Sequence, residues 1–183
     1  SALAGRYRLF EGAEPEPTAT PEFGKKESRI IIYGHKEDFS HFPVVAIPFN
    51  QSIQVTAGLI NIDLSDATVT RTLVVKAPAR IKLYSRTRVK VYKGMIGADF
   101  PIEIETPGGS VKPTGTVVHV YVNDQGQTSI STLHGNVQVT SNTGRITPLA
   151  AGQSIQMAAD GGFSNITTFN PEERLPAFLP DIE

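Results

Sequence analysis

Several features that are common in proteins are missing from this sequence of 183 residues. It has no cysteine, which excludes a disulfide framework and a thiolate site and leaves the redox compartment open. No stretch of 18 apolar residues occurs, so we expect no membrane span within the chain. The formal net charge is only −1. This balance argues against a general affinity for nucleic acid or for a membrane surface.

What the sequence does contain is glycine and proline, with 16 and 13 residues, and these divide the chain into short segments. Between residues 102 and 154, apolar residues alternate with polar or small ones in short runs that stop at Gly, Pro or Asn-Asp, and residues 51–158 are expected to form two packed sheets. Val118, Val120 and Val122 are one such run. A period of two is typical of strands joined by tight turns. The sequence therefore predicts an all-β fold, either a two-sheet sandwich of jelly-roll type or a β-helical roll.

The composition divides the chain into three parts. Residues 1–28 are acidic, rich in proline and poor in large apolar side chains, which predicts an extended or disordered arm. Residues 29–162 carry the alternating pattern and form the β domain. Residues 163–183 include Leu175 and Phe178 and are too apolar for a free tail. We expect this C-terminal extension to pack on the domain or on a partner.

Residues 80–92 have the most unusual pattern in the chain, because apolar residues hold most of the odd positions while the even ones are basic or aromatic. The even positions are Arg80, Lys82, Tyr84, Arg86, Arg88, Lys90 and Tyr92. In an extended strand these side chains share one face and the apolar ones face the core. A strand of this length would be unusually long, so we expect a bend near residues 85–87. The pattern predicts a line of five cations on an exposed face.

Two interpretations of this basic strip stay open. It is either a solvated face that discourages pairing between sheet edges, or a docking site for an anionic polymer or an acidic segment of a partner. In the second case Tyr84 and Tyr92 could stack on sugar or peptide planes. The acidic segment 11–22 of the same chain is an internal candidate for the partner.

Other ionisable residues fit structural roles. His35 and His41 enclose two carboxylates, but their spacing matches no metal motif, and we interpret them as part of a solvated loop. Asp63 and Asp66 flank a predicted turn, where aspartate commonly accepts hydrogen bonds from backbone amides. We expect no metal site and no cofactor.

The sequence offers little for catalysis. Glu103 and Glu105 share a strand face, whereas a carbohydrate-cleaving enzyme needs two carboxylates in one cleft. His119 and His134 have no partner suggested by the sequence, and we interpret them as surface or internally satisfied histidines. We therefore expect a protein that is not an enzyme.

Five short motifs follow one another between residues 73 and 160. They are Thr106-Pro107-Gly108, Gly115-Thr116, Gly126-Gln127-Thr128, Leu133-His134-Gly135-Asn136-Val137 and Leu149-Ala150-Ala151-Gly152-Gln153. In this order the chain resembles the FecR domain family, whose pattern is TP, GT opening an alternating strand, G-x-T, Leu-x-Gly-x-Val and a closing A-G-Q. It departs from that pattern at Pro113-Thr114, where the family usually has Arg, and at Val118, where Phe is frequent.

The resemblance implies an all-β fold of two packed sheets and a non-enzymatic role outside the cytoplasm, in the periplasm or beyond the cell. A binding or signalling domain would recognise a protein partner or an anionic polysaccharide, and not nucleic acid. Iron signalling is not implied. The alternative is a structural component of a cell-envelope assembly that oligomerises through its sheet edges or its C-terminal segment.

Glycines within these motifs are predicted to form structural turns, with Gly115 and Gly135 in tight backbone positions. The full set is Gly108, Gly115, Gly126, Gly135 and Gly152.

Overall fold

A computed structural model describes residues 17–21, 29–32, 35–38 and 45–172. The strands in these ranges are β1 Thr18–Pro21, β2 Arg29–Ile32, β3 His35–Asp38, β4 Val45–Ala46, β5 Ser52–Ala57, β6 Leu59–Asp63, β7 Thr72–Ser85, β8 Arg88–Ala98, β9 Glu103–Thr106, β10 Gly109–Val122, β11 Thr128–Ser141, β12 Ile146–Ala150, β13 Gln153–Met157 and β14 Thr167–Thr168. The all-β prediction is confirmed.

All of these strands belong to one hydrogen-bonded network that forms two layers. The long strands β7, β8, β10 and β11 contribute one half to each layer, because their two halves pair with different neighbours. The first layer runs β4–β1–β6–β7–β8–β10–β11–β13–β14. The second runs β3–β2–β5–β7–β8–β9–β10–β11–β12, with β8 and β9 parallel. The predicted pair of sheets is thus joined through four shared strands.

Irregularities in pairing mark where the long strands pass between layers. The β10–β11 register shifts between Thr114 and Val118, and Gly115 has φ +60° at that point. Opposite it on β11, Gly135 has φ +75°. These positive φ angles are left-handed conformations that glycine adopts without steric cost and that typify β-bulges. The turns predicted at these two glycines are therefore bends inside strands.

The other three predicted glycines lie between strands. Gly108 belongs to the β9–β10 turn, Gly126 to the β10–β11 turn and Gly152 to the β12–β13 turn. Gly126 N–H donates to Asn123 O at 3.0 Å, which closes its turn. These turns fix the order in which the strands enter the two layers.

One hydrophobic core lies between the layers and receives side chains from both. Ile62 and Leu73 enter it from the first layer, and Ile53 and Ile81 from the second, all with 0% exposure. Burying a side chain of this size contributes about 1.5–3 kcal/mol relative to leaving it in water. The core therefore fixes which face of every shared strand points outward.

The described parts of the terminal segments belong to the same network. Thr18–Pro21 is extended, and it pairs with both β4 and β6 in the first layer. The other residues of the acidic 11–22 segment, apart from Pro17, lie outside the described parts. Near the opposite end, Phe163 bridges to Met157, and Phe169 N–H donates to Gly152 O at 2.8 Å. The C-terminal extension thus packs on β13 and on the turn before it as far as Phe169, and its apolar residues Leu175 and Phe178 lie outside the described ranges.

The segment predicted as a solvated loop around His35 is partly a strand. His35–Asp38 forms β3 and pairs antiparallel with β2. The sequence pattern missed this strand because four polar residues carry no alternation of apolar side chains. His41 lies outside the described ranges.

The turn roles predicted for Asp63, at the end of β6, and for Asp66, in the loop after it, are confirmed. Asp63 accepts a hydrogen bond from Ser65 N–H at 2.9 Å. Asp66 accepts from Val69 N–H at 2.8 Å and from Arg71 Nη1 at 2.7 Å. The guanidinium of Arg71, followed by the backbone amides, holds the pKa of Asp66 well below its usual range. The loop between β6 and β7 is therefore organised around an ionised carboxylate.

Candidate functional site

The predicted basic strip lies on the hairpin formed by β7 and β8. Ile81 pairs with Val91 and Leu83 with Val89, and all four side chains have 0% exposure. Because neighbouring residues in a strand point to opposite faces, the even-numbered residues of both strands face outward. The outward basic face inferred from alternation therefore exists, but it is spread over two strands.

The prediction that the five cations form a single line is wrong. Ser85 pairs with Arg88, so the bend expected at residues 85–87 is a hairpin turn that reverses the chain. The outward side chains therefore form two rows. The row on β7 consists of Arg80, Lys82 and Tyr84, and the row on β8 consists of Arg88, Lys90 and Tyr92. We call these six residues the cation–tyrosine face. Arg86 belongs to neither row, because its Nη1 donates to Ser65 O at 2.5 Å.

Cation–π contacts connect the two rows. Each tyrosine ring has one cation over it from its own row and one from the other row, at 4.7–5.4 Å from the ring centroid. The pairs are Lys82 and Arg88 over Tyr84, and Arg80 and Lys90 over Tyr92. Contacts of this kind at exposed sites contribute about 0.5–1 kcal/mol each. The tyrosines thus hold the charged groups in defined positions.

Two lysines of the face oppose each other directly across the hairpin, since Lys82 is the register partner of Lys90. Like charges directly opposite in a sheet destabilise it. Within the described ranges, no carboxylate forms an ion pair with either lysine or with Arg80, whose Nε donates to Ser52 Oγ at 2.8 Å. Positive charge is therefore concentrated where folding alone gives no reason for it.

A band of carboxylates borders the face. Strand β9 runs parallel to β8 and places Glu103 beside Arg88 and Glu105 beside Lys90. Glu105 forms an ion pair with Arg88, and its carboxylate raises the pKa of that guanidinium. Glu103 lies 3.9 Å from Lys112 Nζ on β10. The two carboxylates thus face cations rather than a shared cleft, and β9 separates the positive charge of the hairpin from Lys112 on β10.

The contacts of the tyrosines change the role that the sequence suggested for them. Stacking on a sugar or peptide plane needs an open ring face. Tyr84 and Tyr92 each already have two cations over the ring. We interpret them as residues that position the cations.

Sequence reasoning missed a groove of about 350 Å³ where the hairpin bends. Its walls carry Lys76, Lys93, Tyr121 and Asp124 among apolar neighbours. The groove forms where the β7–β8 pairing is interrupted between Lys76 and Arg80. Residues from three strands meet there, and only the pairing of those strands brings them together.

The remaining candidates are two histidines on the neighbouring strands β10 and β11. His119 is 8% exposed on β10, and His134 is exposed on β11. In the described ranges, no three His, Asp or Glu side chains lie close enough together to hold a metal ion. No helix in this part of the chain has the length and apolar character needed to cross a membrane.

Comparison with known proteins shows likeness of fold rather than of sequence. No model of a protein family matches the chain, and no curated protein matches it. A crystal structure described as a "putative anti-sigma factor" from Parabacteroides distasonis ATCC 8503 is similar, with a TM-score of 0.56 and 17% identity, over 69% of this chain and 63% of that one. A second structure with the same description has a TM-score of 0.43 and 14% identity, over 70% and 57%. The chain thus spans less than two thirds of either structure.

Proposed function

We propose that this chain is a non-enzymatic domain of FecR type that acts outside the cytoplasm, in the periplasm or at the cell surface, as the binding part of a signalling protein. The order of the sequence motifs supports the proposal. So does the likeness of fold to a protein described as an anti-sigma factor, with a TM-score of 0.56. The likeness covers 69% of this chain and 63% of that protein, so it supports a role for the shared β fold and not the whole regulatory activity.

The observation that carries the proposal is the cation–tyrosine face. Lys82 and Lys90 stand opposite each other without a carboxylate ion pair in the described ranges, and both lie over tyrosine rings. An arrangement that weakens the sheet but orders its charges is typical of a binding surface, where electrostatic complementarity sets specificity and speeds association. We infer that the domain recognises a macromolecule bearing negative charge.

The alternative is an envelope component that assembles through its sheet edges. Strand β12, which lies at one edge of the second layer, is poorly suited to such assembly. The Ala150 N–H is already bonded to Gln153 Oε1 at 2.8 Å. Pro148, two residues earlier on the same strand, has no N–H to donate. An edge blunted in this way discourages the addition of a further strand.

Deleting the gene in its host tests the proposed function. We expect the transcripts of a limited set of genes sharing one promoter type to change, as measured by RNA sequencing, and a plasmid copy to restore them. We also expect a fusion of the full protein to alkaline phosphatase to be active, since that enzyme requires an oxidising compartment. Unchanged transcripts would contradict a signalling role, and an inactive fusion would contradict the location.

A further inference from the structure

We propose that the cation–tyrosine face docks an extended acidic segment of a protein partner, in which Asp or Glu occupies alternate positions and which runs along the β7–β8 hairpin rather than across it. This inference rests on the proposed function and names the ligand class of that same surface.

The spacing of the cations suits an extended chain. Arg80 and Lys82 are two residues apart on β7, and Arg88 and Lys90 are two apart on β8. Alternate residues of a strand are separated by about 6.6 Å, and the alternate residues of an extended ligand have the same separation. Successive carboxylates of such a ligand therefore meet successive cations. A helical ligand presents a similar spacing, about 6.0 Å, only from residues four apart, so an alternating acidic sequence distinguishes an extended ligand from a helical one.

The bordering strands set the direction of the ligand. Glu103 and Glu105 lie on β9, one strand spacing of about 4.8 Å from β8. On the opposite side, β5 presents the neutral residues Ser52 and Gln54 beside Lys82 and Arg80. An acidic ligand lying across the hairpin would place its charge against the two glutamates. A ligand lying along the hairpin keeps its carboxylates over cations, with the Arg88 guanidinium shared between the ligand and Glu105.

The same border favours a peptide over a polyanionic carbohydrate. The positive zone is only two strands wide, whereas a polysaccharide with charge on all sides would also contact the β9 carboxylates. Tyr84 and Tyr92 have cations over their rings, so they are not presented for stacking on sugar. Cations already held over rings lose less freedom on binding than mobile side chains do, which favours binding at this face.

A titration with two synthetic peptides of identical composition tests the inference. In one, glutamate alternates with threonine; in the other, the glutamates are contiguous. The folded domain is titrated with each peptide at low and at high salt, and heteronuclear NMR spectra report which residues shift. We expect the alternating peptide to bind more tightly and to shift β7 and β8 signals. Binding should weaken strongly with salt, because each contact is exposed.

Matched variants separate this surface from a general effect of charge. Replacing Lys82→Ser together with Lys90→Ser removes two positive charges from the face. Replacing Lys76→Ser together with Arg145→Ser removes two positive charges from positions outside the face and outside its carboxylate border. We expect the first double variant to lose affinity about tenfold and the control to lose less than about twofold, with both keeping the wild-type circular dichroism.

A third variant tests the border itself. Glu103→Gln with Glu105→Gln removes the negative band, and we expect it to raise affinity for the contiguous peptide towards that for the alternating one. The inference is overturned if the two peptides bind the wild type equally, if neither binds at low salt, or if the control double variant weakens binding as much as the face variant. It is also overturned if the third variant leaves the peptide preference unchanged. If any of these results occurred while the deletion strain still showed altered transcripts, the inference about the ligand would fail and the proposed function would remain supported.

Discussion

Replacing Gly94 with alanine will lower the free energy of unfolding by about 3–5 kcal/mol. Gly94 has φ +106°, a backbone conformation that side chains rarely adopt. A Cβ built on it would lie 2.3 Å from Ala79 Cβ, 2.5 Å from Ala79 Cα and 2.8 Å from Pro78 O. These atoms belong to the backbone or lie next to it and cannot rotate away. The strained φ and the clash therefore add, and urea denaturation followed by circular dichroism measures the loss.

Gly115→Ala is the matched control for this prediction. Gly115 also has a positive φ, +60°, but nothing lies within 4 Å of the Cβ that alanine would add. We expect a loss of only about 1–2 kcal/mol, from the left-handed conformation alone. Equal losses in the two variants would show that steric contact at Gly94 contributes nothing, and would contradict the close packing of β8 on β7 at the bend.

The position of Gly94 connects this packing to the binding surface. Residues before it on β8, among them Lys90 and Tyr92, belong to the second layer, whereas Met95 and Ile96 pair within the first. The close approach to Ala79 thus lies where the hairpin leaves one layer for the other. A variant that forces Gly94 away from Ala79 should also disturb the cation–tyrosine face, because the two rows depend on the pairing of β7 with β8 next to this bend.

Alternation in the sequence was sufficient to predict which residues enter the core. Val118, Val120 and Val122 were grouped by parity, and their side chains are at most 1% exposed. This works because a period of two is a direct consequence of strand geometry and does not depend on which strands pair. The all-β class follows from the same property.

Alternation could not predict where a strand reverses. Ser85 pairs with Arg88 across a two-residue turn, which alone would exchange even and odd faces, but a register shift between Leu83 and Ser85 restores them. Even positions before the turn and even positions after it therefore face the same way. A continuous strand and this hairpin therefore give the same pattern. The pairing of Lys82 with Lys90, which makes the face two rows wide, was for this reason invisible in the sequence.

At the bend in β10 the opposite happens, because one continuous strand gives the sequence pattern of two separate strands. In β10, Val111 and Pro113 face inward before Gly115, and Val118 faces inward after it, so the inward parity changes within one strand. A change of parity beside a glycine looks like the end of one strand and the start of another. The bulge that causes the change exists because β10 passes from the second layer to the first, and that depends on contacts distant in sequence.

The motifs behind the FecR resemblance lie at the same kinds of position. Gly108, Gly126 and Gly152 belong to turns, and Gly115 and Gly135 to bends. They describe the backbone path of the sheet rather than a ligand site, and the cation–tyrosine face lies on β7 and β8 outside them. The resemblance therefore agrees with the all-β fold. The candidate site was found instead from the charges on residues 80–92 and from the pairing of β7 with β8.

Replacing Ile81 with alanine will lower the free energy of unfolding by about 2–5 kcal/mol, whereas Lys82→Ala, one residue further along β7, will change it by less than about 0.5 kcal/mol. Ile81 has 0% exposure and belongs to the shared core, so truncation removes buried apolar area and leaves a cavity. Lys82 points outward opposite Lys90, and losing its contact with Tyr84 is offset by relief of the like-charge repulsion. Urea denaturation of both variants, with peptide titration of Lys82→Ala, measures the two effects separately. Comparable stability losses would contradict the inward and outward alternation on which the cation–tyrosine face depends.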